Sequence, residues 1–228
     1  MLSCPQYNTS VFFYKSKFAV YNLTTNKEGY CLLWHEGISG RSGNDIASTL
    51  VKTLEVILKD KPQTNKIILW SDACVPQNRN AHMSVALIKF LERDNHNVRI
   101  IEHKYQEPGH SAVQEVDSMH ATIERHIKNT ELHSPLAVFR AIANCRSNKK
   151  FKVRQMVPAK DFFDFKPVAL KSNLNKVPYS KIKHIQYEKG NNTVKYKCSF
   201  SDSELSRLVS WFPPKQPKAI DLERQKID

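Results

Sequence analysis

Asp72 closes an apolar run, Ile67-Ile68-Leu69-Trp70, and a polar stretch, Cys74-Val75-Pro76-Gln77-Asn78-Arg79-Asn80, follows it. An acid in that place stands at the carboxyl end of a strand, where α/β sheets bind their ligands. Asp45 opens the helical pattern before it. His110, Asp117, His120 and Glu124 fall on a later helical pattern. The steps 110 to 117 and 117 to 124 are each seven residues, so these side chains share one helix face. Carboxylate oxygens suit Mg²⁺ or Mn²⁺. Two such ions about 4 Å apart can align and charge-stabilise a phosphoryl displacement. His110 and His120 are of the right type to move protons. The candidate metal ligands are therefore Asp72, Asp117, Asp45 and Glu124, and the candidate catalytic residues are Asp72, Asp117, His110 and His120.

Each of these residues has a plain structural reading beside the chemical one. Asp72 also reads as a turn or cap residue at a strand-to-helix junction. Asp45 also reads as an acid at the positive end of a helix. His120 lies beside an apolar stripe, as a hydrogen-bonded core histidine would. Glu124-Arg125-His126 also reads as a solvated face. Cys74 has no histidine partner nearby, which argues against a thiol nucleophile. The glycines from Gly37 to Gly43 do not make a dinucleotide-binding loop. Trp34, Trp70 and most of the Phe and Tyr residues read as core.

The elements that must position these residues follow from pattern. Val11–Tyr14 and Phe18–Leu23 read as one strand or a tight pair, and Tyr30–Trp34 as the next, entered through an Asn26-Lys27-Glu28-Gly29 turn. Ile46, Ala47, Leu50, Val51, Leu54, Ile57 and Leu58 make a helical stripe that Ser42 or Asn44 could cap and Pro62 ends. The strand 67–71 leads to a helix from about Asn80 to Arg93. Val98–His103 is a further strand. After Pro108-Gly109 a helix carries Val113, Val116, His120, Ile123 and Ile127. Ser134-Pro135 opens another, with Leu136, Phe139, Ile142 and Ala143 apolar. Beyond it Lys149–Met156 reads as a basic strand, Ala159–Phe165 as a short helix, and 171–178 as a polar loop. Ile182–Tyr187 and Val194–Phe200 read as a hairpin, Ser201–Glu204 as a capped helix start, and 213–228 as a disordered tail. The expected fold class is α/β, one mixed sheet with helices on both faces.

Composition bounds the rest. The chain has 228 residues and a formal net charge of +13. Residues 149–228 hold 18 Lys and Arg against 8 Asp and Glu, a net +10, whereas residues 1–148 hold 17 against 14, a net +3. Such asymmetry points to an anionic partner, most simply DNA or RNA. Lys149, Lys150, Lys152, Arg154, Lys181, Lys183, Lys195 and Lys197 are the candidate contacts. No apolar run is long enough to span a membrane, and no basic-then-apolar leader opens the chain. Cys4, Cys31, Cys74, Cys145 and Cys198 form no C-x-x-C pair, so reduced thiols are expected. An intracellular protein, with the nucleus in keeping, is the expectation.

Several stretches resemble an uncharacterised domain family found in multicopy, transposon-linked animal genes. They are Phe13-Tyr14-Lys15 through Val20-Tyr21-Asn22, Trp34-His35-Glu36 with Gly40-Arg41 and Ala47-Ser48, Trp70-Ser71-Asp72 with Gln77-Asn78-Arg79-Asn80, Pro108-Gly109-His110-Ser111 with Asp117, His120 and Glu124, and the hairpin Ile182–Phe200. The resemblance covers nearly the whole chain and implies a ribonuclease H-like fold of transposase or nuclease type. It places Asp72 after the fourth strand, Asp117 on the last helix and Asp45 on the first helix, with Gln77 and Asn78 as polar site neighbours. In that fold the first strand carries an Asp, and family members place it before the equivalent of Leu2-Ser3-Cys4-Pro5-Gln6. No Asp or Glu precedes Glu28 here. The implied organisation is a ribonuclease H-like domain over 1–148, incomplete at its start, a basic α+β module over 149–212 and the tail. The implied function is metal-dependent phosphoryl transfer on nucleic acid in the ancestor, weak or lost in this copy. An upstream segment or a partner would complete the sheet. A nucleic-acid-binding module without catalysis and a protein-interaction scaffold are the rival expectations.

Overall fold

Helix α1 starts where the sequence says it should. Ser42 caps it in a reciprocal box, its hydroxyl accepting from Asp45 N at 3.3 Å while Asp45 Oδ2 accepts from Ser42 N at 2.7 Å. The computed structural model describes residues 2–4, 18–25, 28–106, 115–128, 130–201 and 206–211. Their order is β1 (Leu2–Cys4), β2 (Phe18–Thr25), β3 (Tyr30–His35), α1 (Gly43–Asp60), β4 (Lys66–Ser71), α2 (Ala81–Leu91) and β5 (Ile100–Tyr105). Then come α3 (Glu115–Ile127), α4 (Pro135–Asn144), β6 (Lys152–Gln155), α5 (Lys166–Lys171), a 3-10 turn (Asn173–Lys176), β7 (His184–Glu188), β8 (Thr193–Lys197) and β9 (Arg207–Ser210). The fold is mixed α/β. Val11–Tyr14, Ser201–Glu204 as a helix start and the 213–228 tail lie wholly or mostly outside the described residues. No helix among these residues is long and apolar enough to cross a membrane.

The strands form two mixed sheets, not the single one expected. One runs β1-β2-β3-β6 and the other β4-β5-β7-β8-β9. The difference lies in long-range pairing. β6 joins β3 in parallel, Tyr30 opposite Lys152, and β7 joins β5 antiparallel, Lys104 opposite His184. Residues 149–211 therefore divide between the sheets. The chain has two compact units, Met1–Gly40 with Ala112–Asp161 and Ile227–Asp228, and Arg41–Ser111 with Phe162–Lys226.

In the first unit α3 and α4 lay an apolar face on the four-stranded sheet. Met119, Ile123, Ile127, Val138, Phe139 and Ile142 pack with Val20, Cys31, Leu33 and Phe151. Met119, not His120, heads the buried stripe of α3, and Leu136 is exposed on α4 rather than apolar-side. Gly29, at φ +70, turns the chain into β3, and a Cβ there would clash with the Phe151 ring.

In the second unit α2 packs on β5 and β7, and α1 packs on α2. Ala159–Phe165, where the chain passes from the first unit to the second at Asp161, is not a helix. Ala159 takes φ +55, and Asp161 Oδ2 accepts from Val157 N at 2.9 Å, closing a turn instead. Phe163 and Phe165 are then clamped to α1, with Phe165 N donating to Asn44 Oδ1 at 2.8 Å and Phe163 N to Ser48 Oγ at 3.0 Å. The expected loop 171–178 contains the 3-10 turn.

Gly43 offers a test of how α1 seats on the turn before α2. A Cβ there would lie 2.7 Å from both Asn80 Nδ2 and Pro76 O. Helix propensity alone makes Gly43→Ala stabilising by up to about 1 kcal/mol. The clash reverses the sign, and a net loss of about 1–3 kcal/mol is expected. A thermal melt decides it: a raised midpoint would show that α1 does not sit this close to the turn.

Candidate functional site

β4 and β5 run parallel and end together, Ser71 opposite Tyr105, with Gln106 N donating to Ser71 O at 3.1 Å. Asp72 emerges at that shared end and is exposed. The turn after it is wound on one carbonyl: Asn78 N, Gln77 N and Arg79 N all donate to Cys74 O, at 2.9, 3.2 and 3.3 Å. This brings Asn78 back so that its Nδ2 donates to Asp72 Oδ1. Arg79 is buried. Its Nη1 donates to Ile182 O at 3.1 Å, its guanidinium lies 5.7 Å from the Tyr105 ring centroid, and its Nε has no partner among the described residues.

Behind Asp72 lies a polar network that sequence reading missed. Ser71 Oγ and His103 Nε2 are 2.9 Å apart, Tyr105 OH and His103 Nδ1 3.1 Å, and Ser71 Oγ donates to Asp72 O at 3.2 Å. One proton arrangement satisfies these three: His103 Nε2–H donates to Ser71, Ser71 to the Asp72 carbonyl, and Tyr105 to Nδ1, in place of the longer 3.5 Å contact from Tyr105 OH to Asn78 O. Burial pushes His103 down to about 3, so the ring is neutral at pH 7. The Ser–His pair lacks the carboxylate that orients the histidine of a hydrolytic triad, since a phenol faces Nδ1. The set holds the end of β4 and with it Asp72. The signal for it was present: Ser71, His103 and Tyr105 all fall on the inward parity of strands that end in register.

The other predicted ligands are placed differently. Asp45 is buried, and its Oδ2 also accepts from Ser42 Oγ at 2.7 Å, so the cap reading describes it. Asp117, His120 and Glu124 do share a face of α3, and Asp117 and Glu124 are exposed. Burial lowers the His120 pKa, with the two acids opposing, and its Nε2 is buried without a partner among the described residues. His110 lies outside the described residues. Asp45 and Asp72 belong to the second unit, and Asp117, His120 and Glu124 to the first. Among the described residues no group of three or more His, Cys, Asp or Glu gathers as a metal-holding set. Within either unit, then, no three of the described candidates gather as ligands, and the expected set is divided between the units.

The basic candidates also divide. Lys149, Lys150, Lys152 and Arg154 belong to the first unit, where Lys152 Nζ reaches Tyr30 OH at 2.9 Å and Glu28 at 3.5 Å. Lys181, Lys183, Lys195 and Lys197 belong to the second. There Lys195 and Lys197 stand on the outer face of the five-stranded sheet. One row across that face is Ile68, Glu102, Gln186, Lys195 and Leu208, and the next is Trp70, Lys104, His184 and Lys197. These residues are half-buried or exposed, while Ile101, His103, Ile185, Tyr187 and Val194 on the alternate parity are buried. So α2 covers one face only, and the expected second helical layer does not cover this sheet's outer face among the described residues. Trp70, expected in the core, is 57% exposed. Glu102 pairs with Lys66 at 2.6 Å and Lys104 at 3.6 Å, and chiefly the Lys66 hydrogen bond holds its carboxyl below the usual range. His184 Nε2 is 3.6 Å from Glu102, too long for a hydrogen bond. Burial lowers its pKa despite that acid, and Lys104, Lys197 and Lys66 lower it further.

The buried imidazole sets a pH dependence. Residue 103 in the unfolded chain takes a proton near its ordinary 6.5, whereas the folded protein refuses it down to about 3. The stability is therefore complete above pH 6.5 and is lost as pH falls toward 3, by at most about 1.4 kcal/mol per pH unit from this group. His103→Gln should flatten urea-denaturation midpoints between these limits while costing about 1–3 kcal/mol at neutral pH. An unchanged slope would assign the dependence to other groups. Comparisons of the chain with protein-family models, with curated proteins and with solved structures return no match.

Proposed function

We propose that this chain binds nucleic acid without cutting it, on the outer face of the five-stranded sheet, in a fold of ribonuclease H-like descent. One observation carries the reading. Lys104, His184 and Lys197 stand in a single row on that face, with Lys195 in the row beside it. Two lysines in line with a titratable imidazole between them, on an open sheet, suit a backbone of regularly spaced phosphates. Glu102 offsets part of this charge through Lys66 and Lys104, and Glu188 lies 4.0 Å from Lys195. The net +10 of residues 149–228 adds attraction at longer range. His184 is neutral on the free face and gains a proton more readily beside a phosphate.

The descent is supported by element order. An antiparallel β2-β3 pair precedes α1, and a parallel β4-β5 pair follows with an acid directly after β4. That is the order the transposon-linked family resemblance implies. The row of cations supports binding directly, whereas the Asp45 carboxylate serves as a helix cap. Binding is accordingly the activity proposed.

Fluorescence anisotropy with a labelled oligonucleotide tests it. Binding should be clear at about 50 mM salt and fall steeply by about 200 mM. Replacing Lys104, Lys195 or Lys197 by Ala should reduce the log–log salt slope by about 0.7–0.9 for each phosphate left without its cation. Asp72→Ala and EDTA should leave affinity unchanged. Metal-dependent cleavage that Asp72→Ala abolishes would overturn the non-catalytic reading. Absence of binding at low salt would overturn the binding reading.

A further inference from the structure

The molecule exposes an aromatic pair where its core pattern gave no reason for one. Of its three tryptophans, Trp34 and Trp211 are 1% and 3% exposed, but Trp70 is 57% exposed. Phe200, 43% exposed, lies against it with ring centroids 5.8 Å apart and planes tilted by 31°. Ile68 and Leu208 add open apolar surface to the adjoining row. Lys104 Nζ is 5.6 Å from the Trp70 ring centroid, so a fixed cation stands beside the rings. From Trp70 the row continues through Lys104, His184 and Lys197, one residue per strand, at about 4.8 Å per strand.

We infer that this face takes a single-stranded nucleic acid, with bases stacked on Trp70 and Phe200 and phosphates along Lys104, His184 and Lys197. The inference rests on the nucleic-acid reading above and narrows it to one class of strand. Stacking needs the flat face of an unpaired base, which a duplex hides within its own stack. A broad, open sheet face enters neither groove of a duplex as a helix or a two-stranded ribbon does. Charge favours a strand over an apolar protein. The anionic groups on the face, Glu102 and Glu188, both lie within ion-pair distance of lysines, and Lys104 borders the Trp70 ring. The face needs no sequence preference, since every base has a π surface.

Tryptophan emission reads the stacking directly, because Trp34 and Trp211 are shielded and Trp70 carries the solvent-sensitive signal. The full chain is titrated at low salt with a fifteen-nucleotide oligothymidylate, with a duplex of the same length, and with an abasic strand of equal charge. The single strand should quench emission and bind more tightly than the duplex, and the abasic strand should bind more weakly without quenching. Trp70→Ala should weaken single-strand binding by about five- to hundredfold, as the loss of one stacked base does. Trp70→Phe should keep most of the affinity and lose the quench, and Phe200→Ala provides an independent loss at the second ring. Far-UV circular dichroism checks that each variant is folded. Binding without quenching, equal affinity for duplex and abasic strand, or full affinity in Trp70→Ala and Phe200→Ala would overturn the stacking inference and leave nucleic-acid binding standing. Emission that is blue-shifted in the free chain and returns to longer wavelength on dilution would place a second copy on the face and overturn it as well. No binding of any strand would remove both readings together.

Discussion

Helix α2 is apolar nearly all round, and a helix of that kind has to be wrapped. Met83, Val85, Ala86, Leu87, Ile88, Phe90 and Leu91 are all buried along its eleven residues. α1, α5, the 3-10 turn, β5 and β7 supply the wrapping. The one polar side chain in its middle, Ser84, ties it to β7 and to the segment before β7: its hydroxyl lies 2.8 Å from both Tyr187 OH and Tyr179 OH. Burial raises the pKa of both phenols, so they remain protonated and able to donate. At the first turn Asn80 Oδ1 accepts from Met83 N at 2.9 Å, and its Nδ2 donates to Val75 O at 3.1 Å. The helix that organises the core of this unit thereby also fixes the turn that carries Asn78 to Asp72.

The two faces of the five-stranded sheet divide the chemistry. The inward face joins its polar groups to one another and to the turn after β4: Ser71, His103 and Tyr105 form a network in which a neutral imidazole is the bridge. The outward face leaves rings and ammonium groups toward solvent. Their parity along β4 and β5 differs by one residue, so register decides which residue anchors and which is offered to a ligand. The polar network behind Asp72 thus ties down the end of β4, while the row of Trp70, Lys104, His184 and Lys197 lies on the opposite side of the same sheet.

Local signals were legible and remote pairings were not. Ser42 with Asp45, Asn80, and Ser134 before Pro135 each start the helix expected of them, because a cap is written within four residues. The position of Asp72 at a strand end was legible for the same reason, and the charge of Lys195 and Lys197 was visible in composition. The partners of β6 and β7 were not, since nothing local to Lys152–Gln155 names β3. The role of Trp70 followed that blindness. Ile67–Trp70 is apolar at every position and reads as a strand buried on both faces, but β4 sits at the edge of its sheet with alternate residues half-buried and exposed. His103 was hidden because its neighbours come from β4. The expected helix over 159–165 failed on one residue, Ala159, whose left-handed backbone no propensity scale anticipates.

The threading of the chain through its two sheets governs how the protein can be made. β3 is synthesised long before Lys152–Gln155 arrives to cover its second edge, and β5 waits for His184–Glu188. Until then each nascent sheet presents an unpaired strand edge, the kind of surface that recruits neighbouring chains. The four-stranded sheet can finish once Lys152–Gln155 has emerged, whereas a polypeptide released before its last strands would carry β4 and β5 with the β5 edge still waiting for β7.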